Sequence, residues 1–136
     1  MDPRFVTKKI HAYLDYPVAL SLMLAPFALR LDSSDPSAVW LAVGTGVAAM
    51  VLTLFTDHNL GLFRVLPYWA HLTVDFLVGL VFLLAPVVLG FAGLAAWYFW
   101  ANGAAVLLVV GLHRPELPTA PRDTVRVERA PTTWHA

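Results

Sequence analysis

Four apolar stretches, at about residues 12–31, 38–55, 69–91 and 94–112, dominate the 136-residue chain. Each has roughly the 17–25 residues that carry an α-helix across a hydrocarbon core, and runs of this length are too long for ordinary strands. In lipid every backbone N–H and C=O must pair internally, so the helix is the form open to each stretch. Charged residues make up 13% of the chain, against about 25% in a soluble domain. They cluster before residue 10, in short connections and after residue 113. The first stretch follows Lys8 and Lys9, as a secretory leader would. Asp15 interrupts it and no small-residue cleavage site follows, so it reads as a retained span.

The apolar stretches repeat at an offset of 60 residues. His11-Ala-Tyr-Leu-Asp15 aligns with His71-Leu-Thr-Val-Asp75, Ala25-Pro26 with Ala85-Pro86, and Trp40 with Trp100, without a gap. Between 11–31 and 71–91, eight of 21 positions are identical. A repeat of this kind defines the architectural unit before any motif is weighed. The unit is a helical hairpin, expected at about 11–58 and again at 71–113. Two spans return the chain to its starting side, so both copies have the same orientation and a pseudo-two-fold axis along the membrane normal is expected. The expected fold is an all-α membrane protein of four transmembrane helices, built as two parallel-repeat hairpins. Residues 1–10 form a segment before it and residues 114–136 a Pro-rich tail.

Lys and Arg placement sets the expected orientation. Arg4, Lys8, Lys9, Arg64, Arg114, Arg122, Arg126 and Arg129 fall on one side of a four-span topology, and Arg30 alone on the other. Both termini are therefore expected in the cytoplasm of a bacterium, with the bundle in the inner membrane. Tyr13, Tyr16, Tyr68 and Trp69 mark one water–lipid boundary, and Trp40, Trp97, Tyr98 and Trp100 the other. Small residues spaced by four, Ala42/Gly46, Gly44/Ala48 and Ala101/Ala105, predict close helix packing. Pro115, Pro118, Pro121 and Pro131 break regular structure in the tail, and Thr124–Arg129 alternates weakly, as a segment docking on a partner subunit would.

The triplets Ala25-Pro26-Phe27 and Ala85-Pro86-Val87 occupy the place of a Ser-Pro-Trp motif in the first helix of each unit. With the duplication, the preceding Asp and the later Trp, the chain resembles the SPW-repeat family of small bacterial integral membrane proteins over about residues 11–112. Serine and tryptophan are replaced in both triplets. The resemblance implies fold and topology and brings no biochemical activity with it.

His11/Asp15 and His71/Asp75 are the strongest candidates for chemistry. Their i,i+4 spacing puts each pair on one helix face. His11, Asp15, Leu22 and Pro26 fall within an arc of about 60°, as do His71, Asp75, Phe82 and Pro86, and this face is expected to turn into the bundle. An intramembrane carboxylate is costly unless paired, hydrated or protonated. His58 and His113 are expected to end the second and fourth helices in the same layer, with Asp57. Such a set suits a transition metal, a haem or chlorophyll-type pigment between facing histidines, or a proton relay. The leading reading is hydrogen bonding within each helix or to neighbouring helix ends, which a duplicated structural unit would copy. The sequence selects no one metal or cofactor among these. Pro26 and Pro86 are expected to kink or end the first and third helices, and Asn102 to make an interhelical bond.

The chain has no cysteine, which removes disulfides, thiolate metal sites and cysteine nucleophiles. It also has no phosphate-binding glycine loop, HExxH motif or nucleophile elbow. The leading expectation is a non-enzymatic structural or accessory subunit of a larger membrane complex, with the tail 114–136 as its docking segment. The alternative is a small cofactor-binding or proton- or ion-conducting protein that uses the His/Asp layer. Contact is expected with the lipid bilayer and other membrane subunits, and not with nucleic acid.

Overall fold

The structure, a computed structural model, describes residues 4–31 and 35–114. The expected docking segment, with Arg122, Arg126 and Arg129, lies outside the described residues, and so do Asp32, Ser33 and Ser34. Four helices follow in chain order: α1 (Lys8–Ala28), α2 (Pro36–Phe55), α3 (Tyr68–Leu89) and α4 (Gly93–Gly111). Three of them, α2, α3 and α4, are long and apolar enough to cross a membrane. The 21-residue α1 is more polar because its first two turns carry Lys8, Lys9, His11 and Asp15.

Local chemistry sets the helix ends. Thr7 caps α1, its Oγ1 accepting from the Ile10 N–H at 3.2 Å, so the helix starts about a turn before the hydropathy boundary. Asp35 caps α2 by accepting from the Ser37 and Ala38 amides, and Pro36 follows at the first helical position, where its missing N–H costs nothing. α3 ends on Gly90 at φ 74°, the left-handed cap that reverses the chain within residues 90–92. Pro26 and Pro86 lie inside the last turn of their helices, on the buried side. The α1 helix also accommodates Pro17, which repeat comparison does not single out because Leu77 stands opposite it.

Packing is dense within each hairpin, α1 on α2 and α3 on α4, and sparse between hairpins. The small residues explain the first. A Cβ on Gly103 would lie 2.9 Å from the Gly79 carbonyl, and one on Gly46 would lie 2.9 Å from the Ala19 carbonyl. These helices meet backbone to backbone, as small residues at fourfold spacing allow. Gly44, by contrast, faces open space.

The same contacts correct the gapless repeat. In α1 and α3 the buried positions His11, Ala19, Leu22 and Pro26 stand opposite His71, Gly79, Phe82 and Pro86, an offset of 60. In α2 and α4 they are Ala38, Val39, Ala42 and Gly46 against Ala95, Ala96, Phe99 and Gly103, an offset of 57. Three residues separate α3 from α4 and seven separate α1 from α2, and the second helix of the second copy enters its register three residues early. Trp40 therefore corresponds to Trp97, not Trp100. Trp40 and Trp97 are both exposed at the turn end of the bundle, whereas Trp100 donates its indole N–H to the Leu83 carbonyl. Tyr98 is buried in the core and leaves the expected aromatic belt.

At the opposite, terminal end the two copies exchange backbone bonds. Val6 N–H donates to Leu112 O and Arg114 N–H to Val6 O. Leu66 N–H donates to Phe55 O and Asp57 N–H to Leu66 O. Each short parallel bridge, Val6 with His113 and Leu66 with Thr56, joins the entry of one copy to the exit of the other. The bonds also satisfy carbonyls that helix ends leave free. The apolar core, centred on Phe82, Phe91, Phe99 and Leu22, fills the turn half of the bundle.

Candidate metal centre

At the terminal end α1 and α3 bring four functional side chains to one point. His11 Nε2 lies 2.8 Å from Asp75 Oδ2 and 3.3 Å from Asp15 Oδ1. His71 Nε2 lies 3.2 Å from Asp75 Oδ2 and 3.4 Å from Asp15 Oδ2. Both imidazoles are buried and both carboxylates nearly so. One ligand atom from each of the four residues fits within 4.8 Å of all the others. Pairing occurs both within each helix and between helices, and the shortest contact crosses from one repeat to the other.

Thr56 orients His71 and favours one tautomer of its ring. Thr56 N–H turns to Thr53 O, which leaves the Leu52 carbonyl at the end of α2 to the Thr56 hydroxyl, which donates to it at 2.7 Å. A hydroxyl has one proton. Its remaining capacity toward His71 Nδ1, 2.8 Å away, is to accept. His71 therefore carries a proton on Nδ1, and in its neutral form it points the Nε2 lone pair at Asp15 and Asp75. A lone pair facing two carboxylates repels them. A cation at the centre of the cluster relieves that repulsion. The hydrogen bond to Nδ1 is the partner that metal-bound histidines use to fix tautomer and ring orientation.

The other expected site residues separate into a surrounding layer. The His58 ring lies 6.1 Å from that of His71, and that of His113 6.4 Å from that of His11, and neither belongs to the group of ligand atoms that converge. Both follow their helices rather than ending them. His58 is buried, accepts from the Leu60 N–H on Nδ1, and has its pKa pushed below the ordinary 6.5 by that burial, with further lowering from His71 and Lys8. Asp57 is exposed and takes no part. Tyr68, expected at the lipid boundary, packs instead against His71 and His113. His11 Nδ1 has no hydrogen-bond partner among the described residues. Under the 57-residue offset the place of Thr56 beside His71 belongs to His113 beside His11, which is why the two halves of the site are not equivalent. Thr56 carries no signal in the gapless repeat and becomes visible only in this shifted register.

A cavity of about 370 Å³ lies directly below the cluster, between the hairpins. Its walls follow the same two-fold relation: Leu14 opposite Val74, Ala48 opposite Ala105, and Thr45 opposite Asn102. Asn102, which has no counterpart at an offset of 60, thus has one in Thr45. Its amide donates to Tyr98 O in its own helix at 2.8 Å, not across helices as expected.

A tetrapyrrole does not fit the four-residue site. Asp15 and Asp75 fill the space between His11 and His71 that a macrocycle would need, and the rings meet edge-on with centroids 5.5 Å apart.

The SPW repeat domain matches the chain over residues 9–113. The chain belongs to the SPW-repeat family. The match takes in all four helices and the four site residues. No curated protein and no solved structure matches the chain.

Proposed function

We propose that this SPW-repeat protein is a non-enzymatic, multi-pass protein of the bacterial inner membrane that holds one divalent transition metal, zinc by its geometry, between its two repeats. The observation that carries the proposal is the set of four Nε2–carboxylate distances, 2.8 to 3.4 Å. A tetrahedral zinc ion with bonds of about 2.0–2.1 Å has ligand–ligand edges of about 3.3–3.4 Å. One ligand atom from each residue lies within 4.8 Å of the others, and the contacts of 3.2 to 3.4 Å, made to Asp75 Oδ2 and to both oxygens of Asp15, are of that order, so a small inward shift closes the four ligands on an ion. Two neutral imidazoles and two carboxylates carry a charge of −2, which a divalent ion cancels. That cancellation matters most inside a membrane, where uncompensated charge costs several kcal/mol. Four protein ligands leave no open coordination position, so a structural or storage site is favoured over a catalytic one.

The expected cytoplasmic placement of both termini is kept on the charges among the described residues. Arg4, Lys8, Lys9, Arg64 and Arg114 lie at the terminal end, and Arg30 at the turn end. An accessory role in a larger complex is compatible with a metal brace, and rests on the duplicated bundle, the lack of a catalytic motif and the tail 114–136.

Zinc titration of purified, chelator-treated protein tests the proposal. One equivalent is expected to bind per chain, and His11→Ala with His71→Ala is expected to abolish binding. If the double variant binds zinc as the parent does, the site is wrong. If the parent binds no metal, the positive charge in the cluster is a proton and a relay takes the place of the metal centre.

A further inference from the structure

We infer that the cavity beneath the His/Asp cluster is a binding site for amphiphilic monocations, molecules with an apolar body and one ammonium-type charge, which enter from the bilayer. The inference rests on the reading of the cluster as a cation site and extends it to a second class of cation. The cavity's volume, about 370 Å³, lies within the range of roughly 300–1,000 Å³ that small-molecule sites occupy. Its walls are aliphatic, and its polar side chains stand at two levels. Asp15, Asp75 and the two imidazoles close one end, while Thr45 and Asn102 stand deeper, about five to seven residues further along the helices, or roughly 8–10 Å.

The closed end is chemically incomplete. Asp15 Oδ2 has only the 3.4 Å approach of His71 Nε2, and the Asp15 and Asp75 side chains keep 12% and 18% of their surface where they line the cavity. A ligand that fits must therefore bring positive charge to the carboxylates and bury an apolar body against the aliphatic walls. An anion meets two carboxylates, and a neutral apolar molecule leaves them uncompensated. A small hydrated cation satisfies the carboxylates but leaves the space below unfilled.

The way in is lateral. Leu14, Val18 and Val74 line the cavity and are nevertheless between 37 and 41% exposed, so it opens between the sparsely packed hairpins. Val74 lies in α3, one of the three helices apolar enough to cross a membrane, and Leu14 and Val18 line the same cavity from α1. The opening therefore faces lipid, where amphiphilic cations concentrate. Zinc and such a cation draw on the same two carboxylates and exclude one another.

The test uses the full chain in nanodiscs of zwitterionic phosphatidylcholine after chelator treatment, with ethidium as the probe and fluorescence anisotropy as the readout. Saturable binding is expected, displaced by zinc. Asp15→Asn with Asp75→Asn is expected to weaken it by about tenfold or more. Ala48→Phe with Ala105→Phe, which fills the cavity without touching the cluster, is expected to weaken ethidium binding similarly and to leave zinc binding unchanged. The circular dichroism of each variant confirms that the helices persist. Absence of saturable binding, or binding insensitive to either pair of substitutions, overturns the inference. Ethidium binding that depends on both pairs in a protein that takes up no zinc upholds the cavity site and refutes the metal reading alone.

Discussion

Thr56 shows how one hydroxyl can set the chemistry of a buried cluster. By spending its proton on Leu52 O it leaves His71 Nδ1 no role but donor, and so turns a lone pair toward Asp15 and Asp75. Replacing it with valine keeps the shape and removes the bond. Thr56→Val is expected to weaken zinc binding by about 10–100-fold, the usual cost of losing the partner that orients a metal-bound histidine, while Thr56→Ser restores it. Equal zinc affinity in the parent and the valine variant, measured by titration, would show that His71 is held by other means. At this scale the sequence was partly legible. The i,i+4 spacing brought out His11, Asp15, His71 and Asp75 because a helix fixes which residues share a face. His58 was placed in the layer by its position at the end of the second span, whereas Thr56 and Tyr68 reach it through the fold of the 56–67 connection, which no helical period describes.

Among the helices, small residues carry the hairpins and their spacing was readable. Which of them are pressed depended on the register of α2 against α1 and of α4 against α3, and a comparison at a single offset misplaced the second helix by three residues. Gly46 and Gly103, not Gly44, hold the two close approaches. Gly46→Ala and Gly103→Ala should each destabilise the protein by about 1–3 kcal/mol, because a backbone carbonyl cannot move aside for the new methyl group. Gly44→Ala, with nothing within 4 Å, should be neutral. Reversible unfolding in mixed micelles ranks the three, and equal midpoints would contradict the register. The shifted register also explains why Trp40 and Trp97 form one exposed pair at the turn end while Trp100 bonds to Leu83.

Across the whole molecule, two hairpins are each well packed and meet chiefly at their ends. The apolar core holds the turn half, and the crossed backbone bridges and the His/Asp cluster hold the terminal half, with the cavity between. Four apolar runs and a repeat were enough to foresee this architecture, because a bilayer admits few alternatives. The cavity was not foreseeable, since it depends on how far the hairpins stand apart. A reporter active only in the cytoplasm, fused after Arg114, should be active, and one inserted near Arg30 inactive; the reverse pattern would invert the proposed orientation. The most direct test of the central claim is X-ray absorption at the zinc edge on protein purified from zinc-replete cells. The account predicts one zinc per chain bound by two imidazole nitrogens and two carboxylate oxygens at about 2.0–2.1 Å. A chain that carries no zinc, or a zinc environment unchanged in the His11→Ala, His71→Ala protein, would contradict it.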